Sequence, residues 1–180
     1  MLWKRLLSGS FLAFFLAFAI FAPGWLGGAV FAFLCLLLLW ELLREYGALV
    51  RDMGCPAYNL ALQGGGLLAA TALIGTRASG TSGPESFSAE ALVLLVAVAL
   101  CLFQVLSRGP LERNMRRFFS TMAGLGFIYG CLSFLPRIYF CLGPDGAGRI
   151  LVLYLIAVVK SGDMGAYAFG FTSARRARGN

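Results

Sequence analysis

There is no histidine anywhere in the 180 residues. That absence removes Ser-His and Cys-His nucleophilic catalysis, HExxH metal sites and nearly every mixed Cys/His zinc site. Any chemistry must then rest on carboxylates, lysine, hydroxyls or a hard metal. Cysteine is sparse and unpatterned: Cys35, Cys55, Cys101, Cys131 and Cys141 are odd in number and form no CxxC pair. They read as small buried hydrophobes with reduced thiols, not as a disulfide framework. Charge is scarce too, at 13% of residues against about 25% in soluble domains. What is abundant is apolar: hydrophobic residues make up 59% of the chain and the mean hydropathy is +0.82. A 19.3 kDa globule has too little interior to hide that surface, whereas a bilayer solvates it directly. The expected fold class is an all-α, polytopic integral membrane protein.

Hydropathy and punctuation divide the chain into about six spans, at 6–22, 25–40, 60–74, 91–106, 118–135 and 150–169, forming a single transmembrane domain. Pro23-Gly24 turns the first two into a tight hairpin. Lys4 and Arg5 before an apolar run, with Ala17-Phe18-Ala19 behind it, also resemble a signal peptide, but a second span follows at once. The third span is the weakest, with Gln63 and the triplet Gly64-Gly65-Gly66 near its start. Residues 75–90 read as a Gly/Ser/Thr-rich loop. Within it, 75–82 has the glycine spacing of a Walker A loop but lacks the lysine. Gly126-x-x-x-Gly130 in the fifth span reads as a helix-packing motif. Glu41, Arg44, Glu45, Arg51 and Asp52 read as an interfacial helix after the second span.

Basic residues set the orientation. With an internal amino terminus, eleven Lys and Arg fall inside, three fall outside (Arg77, Arg137 and Arg149), and Lys160 lies within the last span. Both termini are therefore expected in the cytoplasm, together with the arginine-rich segment 107–117. The net charge of +7 reads as inner loops facing anionic headgroups. No aromatic interleaving marks a nucleic-acid surface, so no nucleic-acid partner is expected.

Lys160, Asp163 and Tyr167, at i, i+3 and i+7, share one helix face, and Gly162, Ala166 and Gly170 form an adjoining small face suited to helix packing. A charge inside a span costs roughly 2.5–3.5 kcal/mol and marks a functional site by default. Two readings stay open: a functional pair, or two charges that neutralise each other or sit hydrated near the inner surface. Arg116 and Arg117, in the cluster from Arg108, are either a topology signal or an electrostatic seat for an anionic lipid phosphate. No inverted repeat is visible, and no second set of intramembrane charges is expected.

The segment Val159-Lys-Ser-Gly-Asp163-Met-Gly-Ala166-Tyr167-Ala-Phe-Gly170 resembles the (W/K)-x-x-D-x-x-A-Y-x-x-G motif of the phosphatidate cytidylyltransferases, the CDP-diacylglycerol synthases. Leu38-Leu39-Trp40-Glu41 is similar to the Trp-Glu that closes that family's second span, and Gly124-Leu125-Gly126-Phe127-Ile128-Tyr129 to its G-x-x-Y segment. Lys4-Arg5-Leu6 fits as well, so the resemblance runs along essentially the whole chain. It implies transfer of a cytidylyl group from CTP to phosphatidate, giving CDP-diacylglycerol and pyrophosphate with Mg2+, in a multi-pass protein of the cell inner membrane. It implies that Asp163 is the metal and catalytic carboxylate and Lys160 its catalytic neighbour. Tyr167, with Arg116 and Arg117, would contact substrate, and a homodimer is compatible with it. A CTP-dependent polyprenol or phytol kinase is the alternative enzyme, and a small transporter or packing subunit the non-enzymatic alternative.

The family's Ser-Pro-x-Lys-Thr, Lys-Asp and Gly-Gly-x-x-Asp-Arg motifs have no counterpart among the 180 residues. One carboxylate does not assemble a nucleotide-magnesium site, so the chain is expected to be an amino-terminal portion, inactive alone. Membranes containing only these residues should transfer no label from CTP to phosphatidate; robust turnover would overturn that expectation.

Overall fold

The computed structural model of the chain describes residues 14–22, 25–79, 84–107, 111–141 and 147–178. The first half of the 6–22 span, Lys4, Arg5 and Arg108 lie outside these residues, as do 80–82 of the Walker-like stretch. Every regular element among the described residues is helical. They are α1 (14–21), α2 (Trp25–Asp52), α3 (Gly65–Ala78, entered through a π-helical turn at Leu60–Gly64), α4 (Pro84–Ser107), α5 (Leu111–Gly124), a second π turn (Leu125–Tyr129), α6 (Gly130–Cys141) and α7 (Ala147–Arg178). The sequence supplies the reason: in hydrocarbon each N–H and C=O must be satisfied within the chain, and a helix does so locally. Three helices are long and apolar enough to cross a membrane, Trp25–Asp52, Ala89–Leu106 and the continuous Leu111–Phe140.

α2 runs past the expected interfacial break at residue 40 as one 28-residue helix. It stops where Gly54 takes φ +78. There the Gly54 N–H donates to the Arg51 carbonyl at 3.0 Å and the Cys55 N–H to the Val50 carbonyl at 3.0 Å. This is a Schellman ending, with Pro56 behind it to prevent continuation. The segment after it is pinned to α5 by the Tyr58 N–H, which donates to Thr121 Oγ1 at 2.9 Å, and α2 itself by the Tyr46 hydroxyl, which donates to the Ser120 carbonyl at 2.9 Å.

Two apolar clusters hold the helices. Leu39, Leu43, Leu62, Ala69, Ala70, Leu125 and Tyr129 join α2, α3 and the second π turn. Ala19, Phe31, Leu34, Tyr139 and Val152 join α1, α2, α6 and α7, with the Phe31 and Tyr139 rings stacked 3.9 Å apart. The end of α1 is tied down by polar contacts, because the Tyr139 hydroxyl donates to the Ala19 carbonyl at 2.8 Å and Arg149 Nη1 to the Ala22 carbonyl at 3.0 Å. Outside these clusters the surface is apolar, with Phe14, Phe21, Trp25, Phe33, Leu95, Phe103 and Phe127 exposed. An outward face of this kind suits lipid, not water.

Several expectations change. The expected loop 75–90 is mostly helix: α3 continues to Ala78, and α4 opens at Pro84, whose fixed φ and missing N–H suit a first helical turn. Arg137 and Arg149, read as outer-loop residues, lie within α6 and α7. Cys131 is exposed, not buried. The glycines that let helices approach are not the pair expected. A Cβ on Gly126 or Gly130 would meet nothing within 4 Å, whereas one on Gly124 would stand 2.5 Å from Tyr46 Cε1 and 2.7 Å from Leu62 Cδ1. One on Gly66 would meet Leu43 Cδ1 at 2.7 Å.

Tyr46 cannot easily swing aside, because its hydroxyl is held by Ser120. Gly124→Ala should therefore destabilise the bundle by about 1–3 kcal/mol through overpacking. Gly126→Ala should be neutral or stabilise by up to about 1 kcal/mol, from helix propensity alone. Reversible detergent unfolding of the two variants checks the contrast.

Candidate functional site

α7 carries the motif. Its main packing partner is α6. Val152 is its last buried described residue, so Asp163 stands eleven residues, about 16 Å, beyond that point along the axis. There Lys160 Nζ and Asp163 Oδ2 form a loose i, i+3 pair at 3.9 Å, with 73% and 69% of their side chains exposed. The Ser161 hydroxyl donates back to the Val158 carbonyl at 2.9 Å, and a Cβ on Gly162 would meet nothing within 4 Å. The small face expected to pack against a neighbour is thus open at Gly162. Tyr167 belongs to the same helix, but its side chain lies outside the described residues.

Arg116 and Arg117 sit on α5, which is not a main packing partner of α7, so they are not brought against Asp163. Arg116 is exposed and paired with Glu112 at 2.9 Å. Arg117 is half-buried, and its Nε has no hydrogen-bond partner. Among the described residues no group of three or more Asp, Glu, Cys or His side chains could hold a metal ion. Asp163 therefore offers one carboxylate beside an ammonium, which is not a metal cage, since Mg2+ takes six oxygens in near-octahedral order. The residues present do not by themselves fit the metal.

A sequence profile described as the cytidylyltransferase family matches residues 3–178. The chain belongs to the cytidylyltransferase family. No curated protein and no solved structure matches it. Membership in this family places the chain with membrane-associated transferases for which CTP is the nucleotide. Its motif segment on α7 and its arginines on α5 lie within the matched range.

The cytidylyltransferase chain also contains a charged site that sequence reasoning missed. Glu90, only 4% exposed, sits in the second turn of α4. It accepts the Tyr129 hydroxyl proton at 2.6 Å and forms an ion pair with Arg137 from α6. This overturns the expectation that no second set of intramembrane charges exists. Two signals could have found it: Pro84 as a helix start that draws Glu90 into a span, and an Arg placed just after Pro136. Proline reads as a stop, yet Pro136 lies inside α6, as membrane helices tolerate.

Removing one partner of a buried pair strands the other charge, at a cost of about 3–5 kcal/mol. Glu90→Gln or Arg137→Gln alone should each destabilise by that order, and the double variant by less than the two together. A double-mutant cycle on unfolding in detergent measures this, and additive losses would contradict the coupling.

Proposed function

We propose that the chain serves a CTP:phosphatidate cytidylyltransferase, forming CDP-diacylglycerol and pyrophosphate in a cytoplasmic membrane, with the carboxy-terminal half of α7 toward the cytoplasm. The observation that carries this reading is the exposed Lys160–Asp163 pair within the motif-bearing turn of α7. An intramembrane pair kept only for neutrality would gain from burial and close contact, whereas this pair is loose and its side chains are 73% and 69% exposed. The family match over residues 3–178 supports the nucleotide half of the reaction, and the apolar outer surface supports a lipid co-substrate.

The chemistry sets what these residues must do. CTP and phosphatidate are both polyanions, so attack of the lipid phosphate on the α-phosphorus needs fixed positive charge near the meeting oxygens. Lys160 supplies one such charge: its ammonium, held loosely by Asp163, can turn to a phosphate oxygen without leaving a buried partner behind. Asp163 keeps that ammonium at the motif turn of α7. Tyr167 lies one further turn along the same face. Arg116 and Arg117 draw the anionic lipid to the cytoplasmic end of α5, with Arg117 the better placed, because Arg116 is already held by Glu112.

The test uses this chain fused ahead of the Ser-Pro-x-Lys-Thr and Gly-Gly-x-x-Asp-Arg motifs of a complete family member. Asp163→Asn is expected to reduce transfer of label from CTP to phosphatidate to background, and Lys160→Gln to reduce it on the order of 100-fold, with membrane insertion unchanged. Full turnover by Asp163→Asn would remove Asp163 from the site.

A further inference from the structure

The ion pair on α4 and α6 stands at the head of a lateral groove. The groove has a volume of about 540 Å³, and its walls include Leu94 and Val98 of α4, Met122 of α5, Leu125 and Gly126 of the π turn, and Phe134 of α6. Glu90, Tyr129 and Arg137 line one end of it. From Met122 to Arg137 it follows fifteen residues, roughly 20 Å along the axis, comparable with one leaflet of a hydrocarbon core about 30 Å thick.

Three features give this groove a chemical preference. First, Gly126 and Gly130 line it, and a Cβ at either would meet nothing within 4 Å. The expected packing motif therefore keeps a channel open instead of joining two helices. Second, the charges are layered: the Glu90 side chain is 6% exposed, while Arg137 is 26% exposed, so the guanidinium is the more accessible member of the pair. Third, the polar end lies at the far end of α4 and α6 from the 107–111 connection. A cation at one end of an apolar channel matches a molecule with a phosphate at one end and an acyl chain at the other.

We propose that this groove binds one glycerophospholipid from the leaflet opposite the arginine-rich end of α5, its phosphate on Arg137 and one acyl chain along Gly126 and Gly130. The Tyr129 hydroxyl holds Glu90, and Glu90 holds the Arg137 guanidinium at the opening. The site is separate from α7 and does not rest on the nucleotide reading.

The experiment places the full chain in nanodiscs with a trace of phosphatidylglycerol carrying a diazirine on its acyl chain, and maps the crosslinks. Labelling is expected on Met122, Leu125 and Phe134, above that of the lipid-facing Phe103. It should exceed labelling by a diacylglycerol with the same diazirine chain by about tenfold, as expected for a charge-assisted hydrogen bond. Gly126→Leu, whose side chain enters open space, should reduce groove labelling about tenfold while leaving Phe103 labelling unchanged; Gly130→Leu serves if that variant is not recovered. The Glu90→Gln/Arg137→Gln double variant should erase the preference for phosphate. Groove labelling no greater than at Phe103, retention of label after the groove is filled, or equal labelling by diacylglycerol would each overturn the proposal.

Discussion

In hydrocarbon no water completes a broken backbone hydrogen bond, and the fold follows from that single constraint. Helices satisfy their own amides, so the described residues are helical almost throughout, and the described helix ends are met by backbone or side-chain partners. The ending of α2 at Gly54 is closed by two backbone bonds. The end of α1 is closed by Tyr139 and Arg149. Even the segment between α2 and α3 takes a side-chain acceptor from Thr121. The same constraint governs charge: a carboxylate as deep as Glu90 persists only because a phenol and a guanidinium meet it.

Because lipid is as apolar as leucine, burial alone does not draw these helices together; close fit and polar ties do. The close fit is at Gly66 against Leu43 and at Gly124 against Tyr46 and Leu62. These contacts set the first cluster, and the stacked Phe31 and Tyr139 set the second. α7 leaves this frame early. Its first turns pack on α6, and from Leu153 to Asp163 its described side chains are exposed or half-buried, the Lys160–Asp163 pair among them.

Much of this was legible in the sequence. Low charge and high hydropathy fix the class, and the family motif on α7 is readable residue by residue. Helix ends were less legible. An exposed Trp40-Glu41 looks like a membrane boundary, but a helix passes through an interface without changing backbone, and α2 ends only where Gly54 and Pro56 force it. Serine and glycine around residue 80 read as loop, which hid the helix start at Pro84 and with it Glu90. The Glu90–Arg137 pair was invisible for a further reason: its partners are 47 residues apart, and no local period links them. Glycine spacing misled as well, because residues two apart on a helix face nearly opposite ways, and only the packing of Tyr46 and Leu62 shows that Gly124, not Gly126, meets a neighbour.

The central claim is that the turn of α7 bearing Lys160 and Asp163 faces CTP from the cytoplasm. It is tested most directly by accessibility at Ser161, which is exposed between the two charges. In a cysteine-free background of the chain fused to the family's further motifs, the Ser161→Cys thiol should react with a membrane-impermeant maleimide added from the cytoplasmic side, and CTP should slow that reaction. A thiol that reacts only from the opposite side, or at the same rate with and without CTP, would contradict the account.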